Sequence, residues 1–286
     1  MSTALEKATI LVEALPYIQL FYGKIVVVKY GGNAMISEEL KQAVINDIIL
    51  MQLVGMKPVI VHGGGPDINA MLKKLDIQSR FINGLRYTDA PTMEVVEMVL
   101  NGKINKDIVS HINRGGGNAV GLCGKDGQLF SCSKSKGVDL GFVGAIDKVN
   151  THILLSLIEQ GYLPVISPIG GGTDGQSYNI NADYAAGKVA EALQAEKLVL
   201  LTDVEGLYAD PDERKEIISV LPTADVPELM EKGIIQGGMI PKIKCCVSAL
   251  ATGVHTAHIL DGRQAHSILL EIFTDEGVGT KLVISK

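Results

Sequence analysis

The chain has 286 residues, of which 47% are hydrophobic and 20% are charged. This composition is typical of a globular protein of one large or two joined domains, and it excludes long disordered or collagen-like tracts. The formal net charge of −6 provides no basic field for a phosphate backbone, so we expect no nucleic-acid partner.

No apolar run reaches the roughly 18 residues that a membrane span needs, and the N-terminal stretch lacks the basic segment of a signal peptide. The four cysteines include no CxxC pair, which suits a reducing compartment better than a disulfide framework. These features predict a cytoplasmic protein with no membrane contact.

The N-terminal half alternates between helical and extended patterns. Apolar residues recur at helical spacing over 3–22, where Pro16 should kink the helix. The apolar run 24–32 predicts a buried strand, followed by a helix that Ser37 caps and that ends near Val54. The run 57–65 predicts the next strand and another helix. This βαβα order favours a mainly parallel sheet covered on both faces.

Four later apolar runs predict further buried strands, at 119–124, 162–169, 197–204 and 255–260. Short alternating pieces between 124 and 149 predict hairpins outside that sheet. The glycine-dense stretch 170–175 marks a boundary between two lobes. We therefore expect an N-terminal helix over 1–22, an N-terminal lobe over 23–175 and a C-terminal lobe over 176–286.

Glycine loops follow the first two predicted strands, as KYGG (29–32) and HGGGP (62–66). Glycines let backbone N–H groups approach an anion, and a helix N-terminus favours negative charge. One such run is often only a tight turn. Two converging at the carboxyl edge of a parallel sheet, with Lys29 beside them, predict an anion site.

Sequence patterns that often mark nucleotide or metal sites do not indicate such sites in this chain. The chain has no GxxxxGK[ST], and its GxGxxG at Gly170, Gly172 and Gly175 is not followed directly by a helix, so we do not predict a dinucleotide site. His255 and His258 have possible ligand spacing, but in a strand residues three apart face opposite sides. We therefore interpret both histidines as structural and predict no metal-ligand cluster.

Charged residues also lie at the starts of two predicted helices. In YNINAD (178–183), Asn181 or Asp183 could simply cap the helix that follows. GGMIPKIK (237–244) places Lys242 near a helix start, where a positive charge opposes the helix dipole unless an anion binds there. A phosphate would supply that anion.

The chain resembles the amino acid kinase family through motifs in the family's order and spacing: KYGG, HGGGP, NGLR (83–86), NINAD, LLTDVEG (200–206) and GGMIPK. The resemblance covers nearly the whole chain. It implies an αβα sandwich around a mainly parallel central sheet, with an acid-binding N-terminal lobe, which also forms the dimer contact, and an ATP-binding C-terminal lobe. It implies ATP-dependent phosphorylation of the γ-carboxylate of N-acetyl-L-glutamate to N-acetyl-L-glutamyl 5-phosphate, a step of arginine biosynthesis.

The resemblance also implies residue roles. Lys29 and Lys242 would flank the transferring phosphoryl group, and Asp183 would organise both lysines, since an ionised carboxylate needs no general base. Substrate contacts would come from Gly32, Gly64, Gly65, Arg86, Asn179 and Asn181. ATP contacts would come from Thr202, Asp203, Gly206, Leu207, Tyr208, Ile234, Ile235 and Gln236. Mg²⁺ would be bound through the ATP phosphates, with no protein ligand implied.

Arg86 fits the substrate α-carboxylate because its planar fork donates two hydrogen bonds; alone, it would be interpreted as a surface ion pair. Carbamate kinase and glutamate 5-kinase are members of the same family whose activities are alternatives for this chain. A catalytically silent, ligand-sensing relative is a rival of another class, against which the presence of both lysines and Asp183 counts.

Arginine-inhibited members of the family share an N-terminal helix that joins dimers into a hexameric ring, and a C-terminal segment similar to 266–280. The resemblance therefore implies a hexamer, built as a trimer of dimers, that arginine inhibits. A helix packed on its own core is the alternative for 3–22. Glu271 would contact the arginine guanidinium, and weaker candidates are Tyr17, Lys197, His266, Gly277 and Gly279. Binding of a PII protein stays open.

Overall fold

The computed structural model describes residues 3–35, 37–82, 84–213, 215–274 and 277–285. The α-helices within them are α1 Ala4–Glu13, α2 Leu15–Phe21, α3 Glu38–Leu53, α4 Gly65–Lys74, α5 Ala90–Glu97, α6 Asn105–Arg114, α7 His152–Glu159, α8 Ala182–Leu193, α9 Val226–Glu231, α10 Met239–Ala251 and α11 Ser267–Phe273. A π-helical segment, Met98–Ile104, joins α5 to α6.

The strands within the described residues are β1 Ile25–Tyr30, β2 Lys57–His62, β3 Arg80–Ile82, β4 Leu85–Tyr87, β5 Ala119–Cys123, β6 Phe130–Lys134, β7 Gly144–Val149, β8 Leu163–Ser167, β9 Ile169–Gly172, β10 Ser177–Asn179, β11 Lys197–Thr202, β12 Val220–Pro222, β13 Thr256–Asp261 and β14 Thr280–Val283. Eight of them form the central sheet in the order β12-β14-β13-β11-β1-β2-β8-β5. Neighbouring strands are parallel except β13 and β14. The predicted mainly parallel sheet is confirmed.

Helices cover both faces of this sheet, because its central strands carry apolar side chains on both sides. In β1, Val27 packs into one core with α7, α8 and α10. Its neighbours Val26 and Val28 pack into the other core with α3, α6 and α11. The αβα sandwich predicted from the resemblance is therefore observed.

The N-terminal segment is two helices rather than one kinked helix. The first ends at Glu13, and Pro16 lies in the first turn of α2, where its missing N–H costs nothing. Only Phe21 of α2 is buried, and α1 leaves its apolar side chains exposed. Within the described residues, no helix has the length and apolar character needed to cross a membrane.

A four-stranded sheet in the order β10-β9-β6-β7 contains the hairpins predicted after residue 124. Gly170 and Gly172 lie in β9, which turns back antiparallel into β10. The glycine motif therefore continues into β10 and not directly into a helix. The expected lobe boundary at 175 falls in the turn of the β9–β10 hairpin.

Candidate active site

Three charged side chains meet beyond the carboxyl end of β1. Lys29 Nζ lies 3.0 Å from Asp183 Oδ1, and Lys242 Nζ lies 2.7 Å from Asp183 Oδ2. Lys29 Nζ also donates a hydrogen bond to the carbonyl of Leu201, at the end of the neighbouring β11, at 3.4 Å. Two ammonium groups against one carboxylate leave one net positive charge at this point.

Close packing of α8 on α10 brings Asp183 and Lys242 together. A Cβ at Gly187 would lie 2.5 Å from Cys245 Sγ, so glycine permits the close approach of the two helices. Cys245 Sγ also donates to the backbone carbonyl of Asp183 at 3.1 Å. Asp183 and Lys242 lie one turn before these contact residues on their own helices.

Asp183 is ionised because of its partners. Burial alone raises the pKa of this carboxyl, but the ammonium groups of Lys29 and Lys242 outweigh burial and hold its pKa below the usual range. Each carboxylate oxygen is paired with an ammonium group, so the geometry leaves the carboxylate to orient two cations.

A cavity of about 190 Å³ lies on the β2 side of this cluster. Arg86 lines it, held by Ser79 Oγ at 2.6 Å and the Gly65 carbonyl at 3.3 Å, with its guanidinium 4.8 Å from the Phe81 ring centroid. Burial lowers the pKa of Arg86. The other predicted acid-side residues that line this cavity are Gly64, Gly65, Asn179 and Asn181.

The two asparagines also have structural roles. Asn181 Oδ1 accepts a hydrogen bond from the N–H of Tyr184 at 3.0 Å, so Asn181 caps α8 as its position suggested. Asn179 Nδ2 donates to Thr88 Oγ1 at 3.1 Å. Both side chains therefore border the cavity from fixed positions.

Gly32 is the predicted acid-side residue outside that lining. It follows β1 with φ of +69°, a left-handed conformation that favours glycine. Gly31, which was not singled out, lies closer to the charges, since a Cβ there would be 3.2 Å from Lys29 Nζ and 3.5 Å from the Gly63 nitrogen.

A second cavity, of about 290 Å³, lies on the other side of the charged cluster, and Lys242 lines it. The predicted ATP residues on its wall are Thr202, Asp203, Gly206, Leu207, Tyr208, Ile234 and Gln236. Ile235 is not on this wall: its side chain is 2% exposed and packs in the core beneath. The side chains of adjacent residues in the segment 234–236 face opposite ways, which the match of this segment to the family's motif did not reveal.

A third cavity, of about 450 Å³, lies beyond β13 and contains none of the predicted site residues. Asp261 and Arg263, on its wall, pair with each other at 2.8 Å. Among the described residues, no group of three or more His, Cys, Asp or Glu side chains is placed to hold a metal ion.

Two residues predicted to bind arginine, Lys197 and Glu271, meet His258 at the opposite end of the sheet. We call these three residues the β11-start cluster. Glu271 Oε1 lies 2.7 Å from His258 Nδ1, and Lys197 Nζ lies 3.5 Å from His258 Nε2. Lys197 Nζ also lies 4.7 Å from the ring centroid of Phe21 in α2. All three cluster side chains are buried or nearly so.

The other predicted arginine residues lie at different distances from this cluster. A Cβ at Gly277 would be 3.1 Å from Glu271 Oε2, whereas Gly279 packs against the Ile259 carbonyl. Tyr17, in α2, is partly buried and packs against the core. His266 Nδ1 pairs instead with Asp47 Oδ1 on α3 at 2.6 Å.

Sequence reasoning missed three buried polar residues around these sites: His258, His62 and Asn105. His258 was interpreted as structural, yet it bridges Lys197 and Glu271. His62 and Asn105 lie under the HGGG loop and contact each other at 3.2 Å. The only signal for His62 was its place at the end of a strand ahead of the glycines.

The fold, with a cavity on each side of the charged cluster, is shared with phosphotransferases such as the amino acid kinases, and the family model gives the class: the chain belongs to the amino acid kinase family, whose model matches residues 24–261. The chain is therefore an enzyme of the kinase class.

Among curated relatives, the acetylglutamate kinase of Pelotomaculum thermopropionicum is 60% identical, and the alignment covers 98% of this chain and 99% of that protein. The acetylglutamate kinase of Moorella thermoacetica is 59% identical, with 98% of each chain covered.

Among solved structures, N-acetylglutamate synthase from Neisseria gonorrhoeae, complexed with coenzyme A and N-acetyl-glutamate, is 25% identical with a TM-score of 0.86 over 98% of this chain. The chain spans 64% of that protein's length. The same synthase complexed with coenzyme A and L-arginine gives a TM-score of 0.81 over 96% of this chain and 65% of that one. Carbamate kinase from Giardia lamblia, at 18% identity, shares the fold with a TM-score of 0.68 over 92% of this chain and 99% of that one.

Proposed function

We propose that this enzyme transfers the γ-phosphoryl group of ATP to the γ-carboxylate of N-acetyl-L-glutamate, in arginine biosynthesis in the cytoplasm. The observation that carries the proposal is the position of the Lys29–Asp183–Lys242 cluster between two cavities, one bordered by Arg86 and one by Lys242. Relatives of about 60% identity are acetylglutamate kinases, which favours this acid over the substrates of other family members.

In this mechanism the acid lies in the smaller cavity with its α-carboxylate on the Arg86 guanidinium and its side-chain carboxylate directed at the cluster. Asn179 and Asn181 border the acid, and Gly32, Gly64 and Gly65 present backbone N–H groups to the phosphoryl group. The acid's carboxylate is already ionised, so no general base is needed. Lys29 and Lys242 stabilise negative charge on the transferring phosphoryl group, and Asp183 holds both ammonium groups in position.

ATP occupies the cavity that Lys242 lines in this proposal, with its base and sugar against the wall from Thr202 to Tyr208 and against Ile234 and Gln236. The only carboxylate in the charged cluster faces an ammonium group at each oxygen, and two cations beside it disfavour a third. Mg²⁺ therefore fits this site as part of the ATP complex, where it would neutralise charge on the β- and γ-phosphates.

The test is to incubate the protein and MgATP with N-acetyl-L-glutamate, L-glutamate or carbamate, and to measure ADP release together with acyl phosphate trapped as a hydroxamate. We expect the acetylated acid to be turned over at least ~10²-fold faster than the others, because carbamate lacks the α-carboxylate that Arg86 would bind and L-glutamate carries a charged ammonium group in place of the acetamide. Comparable rates on carbamate or L-glutamate would assign the chain to a rival activity. Binding of ATP and acid without ADP release would identify a silent relative.

Inhibition by arginine is the second part of the proposal, and the β11-start cluster supports it. This cluster joins a buried ammonium group and a buried carboxylate, which together complement a molecule carrying both a carboxylate and a guanidinium. Glu271 would pair with the guanidinium and Lys197 would border the arginine carboxylate, with Tyr17 and Gly277 beside them. His266 and Gly279, which contact other groups, would shape the surrounding segment. The synthase with the same fold binds L-arginine.

Assembly is the third part. The exposed apolar side chains of α1 include Leu5, Leu11 and Val12, which are 77%, 73% and 68% exposed. Burial of such side chains against another copy is favourable. We therefore propose that α1 joins dimers, formed through the N-terminal lobe, into a hexamer. Light scattering of the whole chain tests the mass.

A further inference from the structure

Two buried polar side chains lie under the HGGG loop and have no role in the proposed phosphoryl transfer. His62 ends β2 and is 0% exposed, and Asn105 begins α6, directly after the π-helical segment, and is 1% exposed. Buried polar side chains cost free energy unless their hydrogen bonds are satisfied, so a buried pair with many partners indicates a specific structural requirement.

The partners of Asn105 fix the orientation of its amide. Asn105 Nδ2 lies 2.9 Å from the Val165 carbonyl oxygen and 3.3 Å from the Leu122 carbonyl oxygen. Carbonyl oxygens only accept, so the NH₂ group must face these two strands. Asn105 Oδ1 points the other way and accepts from Lys106 Nζ at 3.1 Å.

This orientation selects one tautomer of His62. Its Nε2 lies 3.2 Å from the same Asn105 NH₂ group, and a proton on Nε2 would set two donors against each other. The proton of the neutral ring therefore sits on Nδ1, which lies 2.9 Å from the Gly63 carbonyl oxygen and can donate to it. Burial lowers the pKa of His62 to about 4, so the ring is neutral at the pH of an ordinary assay.

The hydrogen bond to Gly63 determines where the next N–H points. The Gly63 carbonyl and the Gly64 N–H belong to one planar trans peptide and point in opposite directions. With the carbonyl held by the buried ring, the Gly64 N–H is turned to the other side of the loop. That loop borders the cavity on the acid side of the charged cluster.

The other backbone groups of the loop are already used. The Gly63 N–H donates to the Tyr30 carbonyl at 2.8 Å, and the Gly64 carbonyl accepts from the Ile68 N–H at 3.0 Å. The Gly65 carbonyl accepts from Arg86. Among the described residues, the N–H groups of Gly64 and Gly65 have no such partner, so these two donors are available to a ligand.

We propose that His62 is a positioning residue for phosphoryl transfer: its Nδ1–H tautomer, selected by Asn105, holds the Gly63 carbonyl and thereby directs the Gly64 N–H at the transferring phosphoryl group. This inference rests on the proposed function for its catalytic consequence, but the tautomer can be measured without it. Gly121 contributes by lacking a side chain, because a Cβ there would collide with Asn105 Oδ1.

Two substitutions separate the two nitrogens of His62. His62→Asn places an amide NH₂ near the former Nδ1 and can still donate to the Gly63 carbonyl. His62→Gln places its polar end near the former Nε2 and leaves that carbonyl without its donor. We expect His62→Gln to lower kcat by roughly 10- to 100-fold, a smaller decrease than removal of a transition-state donor itself would cause. We expect His62→Asn to retain kcat within about 5-fold.

The KM values for ATP and the acid should change less than about 3-fold in both variants, because the loop donor acts on the transition state. Thermal unfolding is measured on both variants to compare only folded protein. Equal kcat values in the two folded variants would overturn the positioning role and leave His62 a packing residue.

The tautomer itself is measured by ¹⁵N NMR of the histidine-labelled protein, with the His62 signals assigned by their loss in His62→Gln. We expect one protonated nitrogen, Nδ1, from pH 5 to 8, and a mixture of tautomers in Asn105→Ala. A proton on Nε2, or a ring that titrates near pH 6.5, would overturn the inference whatever the enzyme phosphorylates. If the acid assay fails while the Nδ1–H tautomer is found, the proposed function alone is wrong.

Discussion

Two charge clusters lie at opposite ends of the central sheet, and they differ in how their lysines are compensated. Lys29 and Lys242 each have an oxygen of Asp183 within 3.0 Å. Lys197, at the start of β11, has an imidazole nitrogen at 3.5 Å and an aromatic ring beside it, and within the described residues no carboxylate forms an ion pair with it.

The lysines of the first cluster are therefore compensated by a carboxylate, whereas Lys197 in the β11-start cluster is not. Asp183 lets two ammonium groups lie side by side, which in the proposed mechanism pre-organises them for a phosphate. Lys197 is buried at a cost that a bound carboxylate would offset. Substitutions at the two ends should therefore affect different quantities: turnover at one end, inhibition and stability at the other.

The largest effect, on turnover, is expected at the Lys29–Asp183–Lys242 cluster. Lys29→Ala and Lys242→Ala should each lower kcat by ~10²-fold or more, because each removes a cation that stabilises transition-state charge. Steady-state kinetics with N-acetyl-L-glutamate and ATP measure the loss. The matched control is Lys24→Ala, since Lys24 pairs with Glu196 near the protein surface. Near-normal turnover in both variants would remove the charged cluster from the mechanism.

The next effect concerns the β11-start cluster. Glu271→Gln should raise the arginine concentration for half-inhibition by about 10-fold or more, because a guanidinium loses a charged, desolvated partner. The kcat without arginine should stay within about 2-fold of wild type. The measurement is an arginine titration of both proteins, with lysine as a ligand control. Unchanged inhibition would show that Glu271 does not bind arginine.

A smaller effect on inhibition is expected from the N-terminal end. Removal of residues 1–14 deletes α1 but keeps Phe21, which packs over Lys197. The mass should fall from a hexamer to a dimer, arginine sensitivity should decrease several-fold, and turnover should persist. Light scattering and arginine titration on one sample provide the test. A shortened protein that keeps both its mass and its inhibition would show that α1 only packs.

The smallest effect is on stability. Burial, and then repulsion from Lys281, lowers the pKa of Lys197 from 10.5 to about 8, so the folded state binds fewer protons than the unfolded state between these values. The cost of the charge is therefore fully present below pH 8 and is relieved as the pH rises toward 10.5. Lys197→Met should raise the free energy of unfolding by about 1–3 kcal/mol at pH 7.

Denaturant titrations of Lys197→Met and wild type at pH 7 and pH 10 check this prediction, with Lys57→Met, in the half-buried first position of β2, as the control. The difference between Lys197→Met and wild type should shrink at the higher pH. A stability difference that does not depend on pH would mean that another group compensates the charge of Lys197.

The position of Lys29, Asp183 and Lys242 at one edge of the sheet was predictable from sequence because these residues lie in motifs at strand and helix ends. Lys29 precedes two glycines, Asp183 begins a helix and Lys242 follows another glycine pair, so topology alone brings them to one edge of the sheet. Their mutual contact was an expectation from the family resemblance, since 154 residues separate Lys29 from Asp183 and no spacing rule connects them.

The residues that sequence reasoning missed depend on pairing across the fold. His258 looked structural because nothing in its own strand shows that Glu271 faces it from α11. His62 is 43 residues from Asn105, and the hydrogen bonds that orient Asn105 go to strands still further along the chain. Ile235 was misplaced for a related reason: a matched segment identifies a stretch of chain, but the side of the backbone that faces a cavity is set by tertiary packing.

The π-helical segment before Asn105 makes chain length itself a determinant of the site. A π turn contains one residue more than an α turn, so it acts as a single-residue insertion absorbed within a helix. Deleting Gly102 there would turn all of α6 by about 100° and shift it by about 1.5 Å. Asn105 would leave the strands that it bridges, and Ile108 and Ile112 would leave the core. We therefore expect this stretch to accept substitutions far more readily than any change in its number of residues, which deletion scanning would measure.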